Sequence, residues 1–429
     1  MPHVRRMSRL CFLCLLAGLV GVLSECRASE QPSDTGEITS LPRALTSAEA
    51  GLVGADKTFG FKLFQVIADS AGPDANLFIS PLSAAMALGM AYNGAAGTTQ
   101  AEMQQALALQ GMTLADVNQS NRSLIALLRG LDPRVVFTLG NSVWYRQGFT
   151  MLPDFLNATR TYFDATVEGL DFARPDAGLT INSWVNSQTQ GKIPTIVPDV
   201  IPENVVAYLI NAIYFKGNWS IQFDKDRTQP GTFHLRAGSA TTVPMMSHKH
   251  AVPVASLLDG GIRVIDLPYG GKAFSMTIVL PRDANGIDSL VPALTGARWS
   301  AWTTALDAAG GGMSQDLYLP KFVLTYGLNM KSVLSALGMP SAFDCNGGAD
   351  FTRMAALPPG RLCITDVRHK ATVDVNEEGT VAAAATSVGI GFNSVPAPLR
   401  VDRPFVFVIR ERFSGTILFM GRVMNPAAS

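Results

Sequence analysis

Few residues in this chain are spaced for catalysis. No G-x-S-x-G elbow is present to present a nucleophilic serine. None of the five histidines is followed by glutamate, so the zinc-hydrolase pattern H-E-x-x-H is missing. Gly191-Lys192 and Gly271-Lys272 lack the loop glycine and the following hydroxyl of a phosphate-binding loop. Gly389-Ile390-Gly391 begins like a dinucleotide fingerprint, but Ser394 stands where the third glycine belongs. His248 and His250 read as a surface pair on one strand face rather than a metal site. The chain is expected to be no enzyme and to need no metal or cofactor.

The unusual stretch lies near the C-terminus, between two strand-like segments. From Thr380 to Ser394 there is no charged residue, and Ala382, Ala383, Ala384 and Ala385 offer little bulk. A connection this long is uncommon in a compact domain. Side chains alternate along an extended chain, so Thr380, Ala382, Ala384 and Thr386 share one face. All four are small and uncharged. Such a segment could enter a sheet without burying charge or clashing. Gly379 sits where it would have to hinge. The plain alternative is a surface loop.

The elements that would position this stretch are legible in outline. Phe59, Leu63, Phe64 and Ile67 form one helical face. Ser80-Pro81 starts a helix that Gly94 and Gly97 end. Residues 103–107, 123–128, 182–190 and 330–337 also read as helical. Residues 135–145, 205–215, 262–267, 274–280, 317–324, 405–409 and 416–420 are rich in β-branched and aromatic residues and read as strands. Several are apolar on both parities and should be buried on both faces. Helices first and strands later point to an α+β layered fold.

Composition bounds the rest. The chain has 429 residues, 47% hydrophobic and 16% charged, enough apolar surface for one large core. Residues 1–28 read as a secretory signal peptide: Arg5, Arg6 and Arg9 precede an apolar run from Leu10 to Leu23. Anchoring through Cys26 is the less favoured alternative, because Glu25 precedes it where a small residue is expected. Without the leader, thirty basic side chains face thirty-three acidic ones, a net charge of −3, which argues against nucleic-acid binding. Residues 29–45 read as a polar tether and 46–429 as a single domain. A secreted or periplasmic location follows. Of five cysteines, Cys345 and Cys363 lie beyond the leader and could pair in an oxidising compartment.

With these residues in view, the chain resembles the serpins, the serine-protease-inhibitor family. The hinge Glu377-Glu378-Gly379-Thr380 followed by Ala382–Ala385 resembles the inhibitory form of the family's reactive-loop hinge. Leu399–Ile409 resembles its C-terminal signature, and Leu418–Val423 followed by Asn425-Pro426 its last strand. Asn76–Ser83, Asn182–Ile193 and Asn211–Trp219 resemble further family blocks, in family order.

The resemblance implies a serpin fold, with three β-sheets, eight or nine helices and an exposed reactive-centre loop. It implies an irreversible suicide inhibitor of serine (or cysteine) endopeptidases, cleaved at Asn393-Ser394, with Phe392 as the competing position. Segment 379–392 would then insert into the central sheet. About 14 residues at ~3.3 Å each give ~46 Å of travel for the acylated protease. Ser80, Ser83, Asn211 and His369 match a polar cluster that controls sheet opening. Trp219 and Lys321 match residues at the mouth of the sheet, and a Lys321–Glu377 ion pair is implied. The helix D region has few basic residues, so no heparin site is implied. The family alternative is a non-inhibitory carrier or chaperone. A covalent protease complex and a monomer are the implied states.

Overall fold

The computed structural model describes residues 36–309, 312–379 and 397–428. Helix α1 (Ser47–Ser70) opens on a capping box: Thr46 Oγ1 accepts from the Glu49 N–H at 3.2 Å, and Glu49 accepts from the Thr46 N–H at 2.7 Å. Glu49 also receives Arg43, whose hydrogen bonds outweigh burial and hold this carboxyl down to about 2. The polar stretch before α1 is thus fastened to the domain. Ile38 N–H also bonds the Gly271 carbonyl at 2.7 Å.

Strand β1 (Leu77–Ile79) leads into α2 (Pro81–Gly94), which Ser80 caps and Pro81 begins. Nearly all of α2 is buried, so its sequence is apolar all round rather than on one stripe. Helices α3 (Gly97–Ala106) and α4 (Leu114–Leu128) follow. Strand β2 (Val135–Arg146), helix α5 (Pro153–Phe163), strand β3 (Ala165–Leu170), helix α6 (Ala177–Gln188) and strand β4 (Ala207–Gly217) come next. β5 (Gln229–His234), β6 (Ala240–Ser247), β7 (Val252–Asp259), β8 (Ile262–Tyr269) and β9 (Phe274–Leu280) precede helices α7 (Ile287–Ala293) and α8 (Gly296–Ala308). After β10 (Met313–Gln315), β11 (Leu317–Pro320), β12 (Phe322–Asn329) and α9 (Lys331–Ala336), the chain ends in β13 (Arg368–Val375), β14 (Leu399–Arg400), β15 (Phe405–Glu411) and β16 (Ile417–Val423).

Seven strands form the largest sheet, in the order β1-β16-β15-β9-β8-β7-β10. Its inner strands β9, β15 and β16 are buried at every position, as their two-sided apolar patterns predict. A four-stranded sheet runs β14-β11-β6-β5. Instead of one further sheet there are two hydrogen-bonded groups, β3-β2-β4 and β12-β13. The mixed α+β class expected from the sequence holds, with the ladders of the described residues falling into four groups. The physical reason is a break between the edges of β4 and β13, described below. Helix α6 packs on β2 and β4 through Ile181 and Val185 against Trp144, Ile210 and Ala212.

Three differences from the sequence pattern have clear causes. Residues 317–324 do not form one strand: the Lys321 N–H is the last to bond β6, at the Pro244 carbonyl 2.9 Å away, and from Phe322 the chain pairs with β13 instead. The chain changes sheets at that residue. Strand β6 ends at Ser247, so His248–His250 are not on a strand face; the His248 ring stacks on Phe223 with centroids 4.3 Å apart. Strands and helices also alternate more than expected, since α7, α8 and α9 fall late in the chain. Among the described residues no helix is long and apolar enough to cross a membrane.

Cys345 and Cys363 are joined, with Cα atoms 5.1 Å apart across 18 residues. Closing a loop of this length stabilises the fold by about 3 kcal/mol, chiefly by restricting the unfolded chain. We expect reduction to lower the melting temperature by a few degrees. An equal melting temperature with and without reductant would show that the bridge restrains nothing that unfolds.

Candidate functional site

Strands β4 and β13 run side by side, yet no ladder joins them among the described residues. Two cavities lie between them. The upper, of about 70 Å³, is lined by Ile213, Tyr214 and Phe215 of β4 and by Thr372, Val373 and Asp374 of β13. The lower, of about 180 Å³, is lined by residues 206–211 on one side and 361–370 on the other. Low-numbered residues face low-numbered ones at both levels, so the two edges are parallel. Each edge carries backbone N–H and C=O groups that a further strand could bond.

The hinge lies at the upper end of this slot. After β13 the chain reverses in a tight turn: Asn376 and Gly379 exchange N–H···O=C bonds of 3.0 and 3.2 Å around Glu377 and Glu378. Gly379 then forms an antiparallel bridge with Asn218, just past β4. This isolated antiparallel bridge is the last described contact of the chain before residue 380. Only glycine fits there. Its φ is +134°, and a Cβ would lie 2.3 Å from the Gly217 carbonyl oxygen.

All three turn carbonyls are bonded by the segment following β4. Trp219 Nε1 donates to Asn376 O at 2.9 Å, Phe223 N–H to Glu377 O at 2.9 Å, and Trp219 N–H to Glu378 O at 3.0 Å. Trp219 is 4% exposed and stacks on Tyr269 at 4.5 Å. The hinge acids are held by separate lysines. Lys321 Nζ donates to Glu377 Oε2 at 3.0 Å, the pair implied by the sequence, and Thr228 Oγ1 donates to Oε1 at 2.8 Å. Burial pushes the Glu377 carboxyl up. Bonds from its own backbone, Thr228 and Lys321 outweigh that and hold it below the ordinary value. Lys321 is half exposed, so the pair contributes about 1 kcal/mol at most. Lys225 pairs with Glu378, a second latch that the sequence reading missed because nothing in its spacing marks it.

The polar cluster expected under the sheet is assembled from four elements. Ser80 Oγ donates to Leu418 O at 2.7 Å, and the Ser80 N–H donates to His369 Nε2 at 3.1 Å. Ser83 Oγ donates to Asn211 O at 3.3 Å, and Asn211 Nδ2 to Asn141 Oδ1 at 2.8 Å. Asn141 was not anticipated. Asn211 Oδ1 is buried without a partner among the described residues. Ser83, Asn211 and His369 all line the lower cavity, so the cluster straddles the break. Thr380, Ala382–Ala385, Phe392, Asn393 and Ser394 lie outside the described residues.

His369 makes this cluster sensitive to acid. Its Nε2 accepts a hydrogen bond, so the neutral ring carries its proton on Nδ1. Burial pushes its pKa down from 6.5 to about 4. The folded state thus prefers the neutral ring. Its contribution is complete above pH 6.5 and shrinks as pH falls towards 4, by about 3 kcal/mol in all. We expect the melting temperature to fall across this window, and a His369→Gln variant to lose that part of the slope. Parallel curves for the two proteins would remove His369 as the titrating group.

Comparison with known proteins agrees with this architecture. The family model described as Serpin (serine protease inhibitor) matches residues 54–426. The leukocyte elastase inhibitor of Equus caballus is 35% identical over 381 residues, covering 87% of this chain and 98% of that protein. Ipis-1 of Ixodes persulcatus is 34% identical, covering 83% and 93%. Among solved structures, human glycosylated kallistatin superposes with a TM-score of 0.79 at 27% identity, covering 89% of this chain and 99% of that one. Human thyroxine-binding globulin complexed with thyroxine gives 0.77 at 27%, covering 89% and 100%. With this breadth of agreement in sequence and fold, the chain belongs to the serpin family.

Proposed function

We propose that the protein is an irreversible suicide inhibitor of serine (or cysteine) endopeptidases, and is itself no enzyme. The reading rests on one observation: a slot between β4 and β13 whose first rung, Gly379 with Asn218, is already formed by the chain that leads into the loop. The target's nucleophile attacks the Asn393 carbonyl carbon, or that of Phe392. The nitrogen of the following residue leaves with a proton, and an acyl-enzyme forms. Cleavage frees the segment from Gly379, which continues the ladder between β4 and β13. The protease is carried towards the far end before water reaches the ester. The protein acts as a monomer, without cofactor. Residues 1–28 direct it out of the cytoplasm as a secretory leader, residues 29–45 tether the inhibitory domain that follows, and Cys26 anchoring remains the lesser alternative.

A carrier role is the second reading, favoured by the likeness to a thyroxine-binding relative. The hinge argues against it, since Thr380 and the alanines present no charge or bulk to insertion. Incubation with a panel of serine and cysteine proteases, followed by mass spectrometry of detergent-stable products, tests the proposal. A covalent product ending at Asn393 is expected. Cleavage of the loop without any covalent product, across the panel, would favour the carrier reading.

A further inference from the structure

Beside the point where the loop rejoins the body lies a cavity of about 380 Å³, lined by Arg263, Gln315, Ala397, Pro398, Arg400 and Arg403, with leucines completing the wall. No acidic residue lines it among the described residues. Arg403 is tied to Asp402 at 2.6 Å and to the Pro281 carbonyl at 2.8 Å. Arg400 lies over the Tyr318 ring at 3.9 Å and has no acidic partner there. Arg263 has no ion pair or side-chain hydrogen bond to a described residue. Gln315, itself 5% exposed, also lines this cavity. Two guanidiniums without acidic partners, on a wall that no described acidic residue lines, suit an anionic oxygen group.

We propose that this cavity receives a surface carboxylate of the attacking protease and so selects proteases that are acidic beside their primed-side cleft. The proposal rests on the inhibitory reading above and deepens it. Ala397 is four residues past Asn393, so the chain between them spans at most ~14 Å. A docked protein covers about 800 Å² of its partner, a patch of roughly 16 Å radius. The cavity therefore lies within reach of the footprint of a protease poised on Asn393. The cavity belongs to the fragment that begins at Ser394, whereas the acylated protease leaves with Asn393. The contact exists only before cleavage. It accelerates association and adds nothing to the trapped complex.

The test compares wild type with the Arg263→Gln/Arg400→Gln double variant, using the protease that reacts fastest in the panel. Arg174→Gln, which breaks a surface pair with Asp176, serves as control. The readout is the rate at which intact inhibitor is consumed, at low and at high salt. We expect the double variant to be slower by about tenfold at low salt, with the gap closing at high salt. The stoichiometry of inhibition and the lifetime of the complex should not change. A rate within twofold of wild type would overturn the proposal, as would a loss equal at both salt concentrations. Binding of a sulfated hexasaccharide to wild type but not to the double variant would assign the cavity to a polysaccharide instead, which also overturns it. Absence of covalent complexes would overturn only the inhibitory reading, because consumption of the loop still reports docking.

Discussion

Substituting Thr380 by arginine should turn the protein from an inhibitor into a substrate. Thr380 directly follows Gly379, whose bridge to Asn218 starts the ladder, so it is the next residue that must enter the slot. The floor there is apolar: Phe78, Ile213, Phe215, Val373, Ile409 and Phe419 border the upper cavity. A guanidinium placed over that floor loses its hydration, at a cost of several kcal/mol. Each 1.36 kcal/mol added to the insertion barrier slows insertion about tenfold, while hydrolysis of the acyl-enzyme is unaffected. The branch ratio shifts accordingly, by about a thousandfold or more. Thr380 is also 13 residues from Asn393, so recognition and cleavage should proceed at the normal rate. The expected gel shows complete cleavage and no detergent-stable complex, with Thr380→Ala behaving as wild type. Persistent stable complexes from the arginine variant would rule out insertion as the trapping step.

Much of this mechanism's apparatus could be read from residue types, and the remainder is hidden for definite reasons. The two-sided apolar runs at 274–280 and 405–409 lie in the fully buried strands β9 and β15, since a strand covered on both faces has no room for polar alternation. Ser80-Pro81 marked the start of α2, because a capping hydroxyl and a missing N–H suit those two positions. The strand-like segment before the loop is legible only without bounds: in β13 the inward His369, Ala371, Val373 and Val375 alternate with polar residues that blur its ends. The Lys225–Glu378 latch depends on a pairing across 153 residues that no local pattern encodes. The same holds inside the large sheet. Arg410 and Glu411 are buried within a strand, Arg410 beside Asp266 and Glu411 receiving the N–H groups of Phe413 and Ser414. Taken alone, those charges would argue against a buried strand. Only the completed tertiary structure supplies the partners that make their burial tolerable.

The state of the slot leads to the second large effect. Beside the break, the facing edges of β4 and β13 are joined by no ladder among the described residues, while every other strand of the two groups is paired on its inner side. Under the break lie two cavities rather than packed side chains. A sheet interrupted in this way has lower-energy arrangements within reach. A strand laid between the edges would bond both ladders and cover the apolar floor. On the proposed inhibitory reading, chain connectivity withholds that strand: the described ends of the loop are bonded at Glu377–Gly379 on one side and at Leu399–Arg400 on the other. One cut in the loop removes the tie. On that proposal the uncut protein is held by a barrier and not by its depth in free energy. We therefore expect proteolytic nicking in segment 380–396 to raise the melting temperature by on the order of 10 °C or more, opposite to the usual effect of breaking a chain. The rise should appear with any protease that cuts there, including one that forms no covalent complex, because it requires only the severed bond. In the Thr380→Arg variant it should be much reduced, since the same arginine that blocks trapping also blocks closure of the sheet. If nicked wild type melts where the intact protein does, β4 and β13 hold no stored energy, and the trap has nothing to drive it.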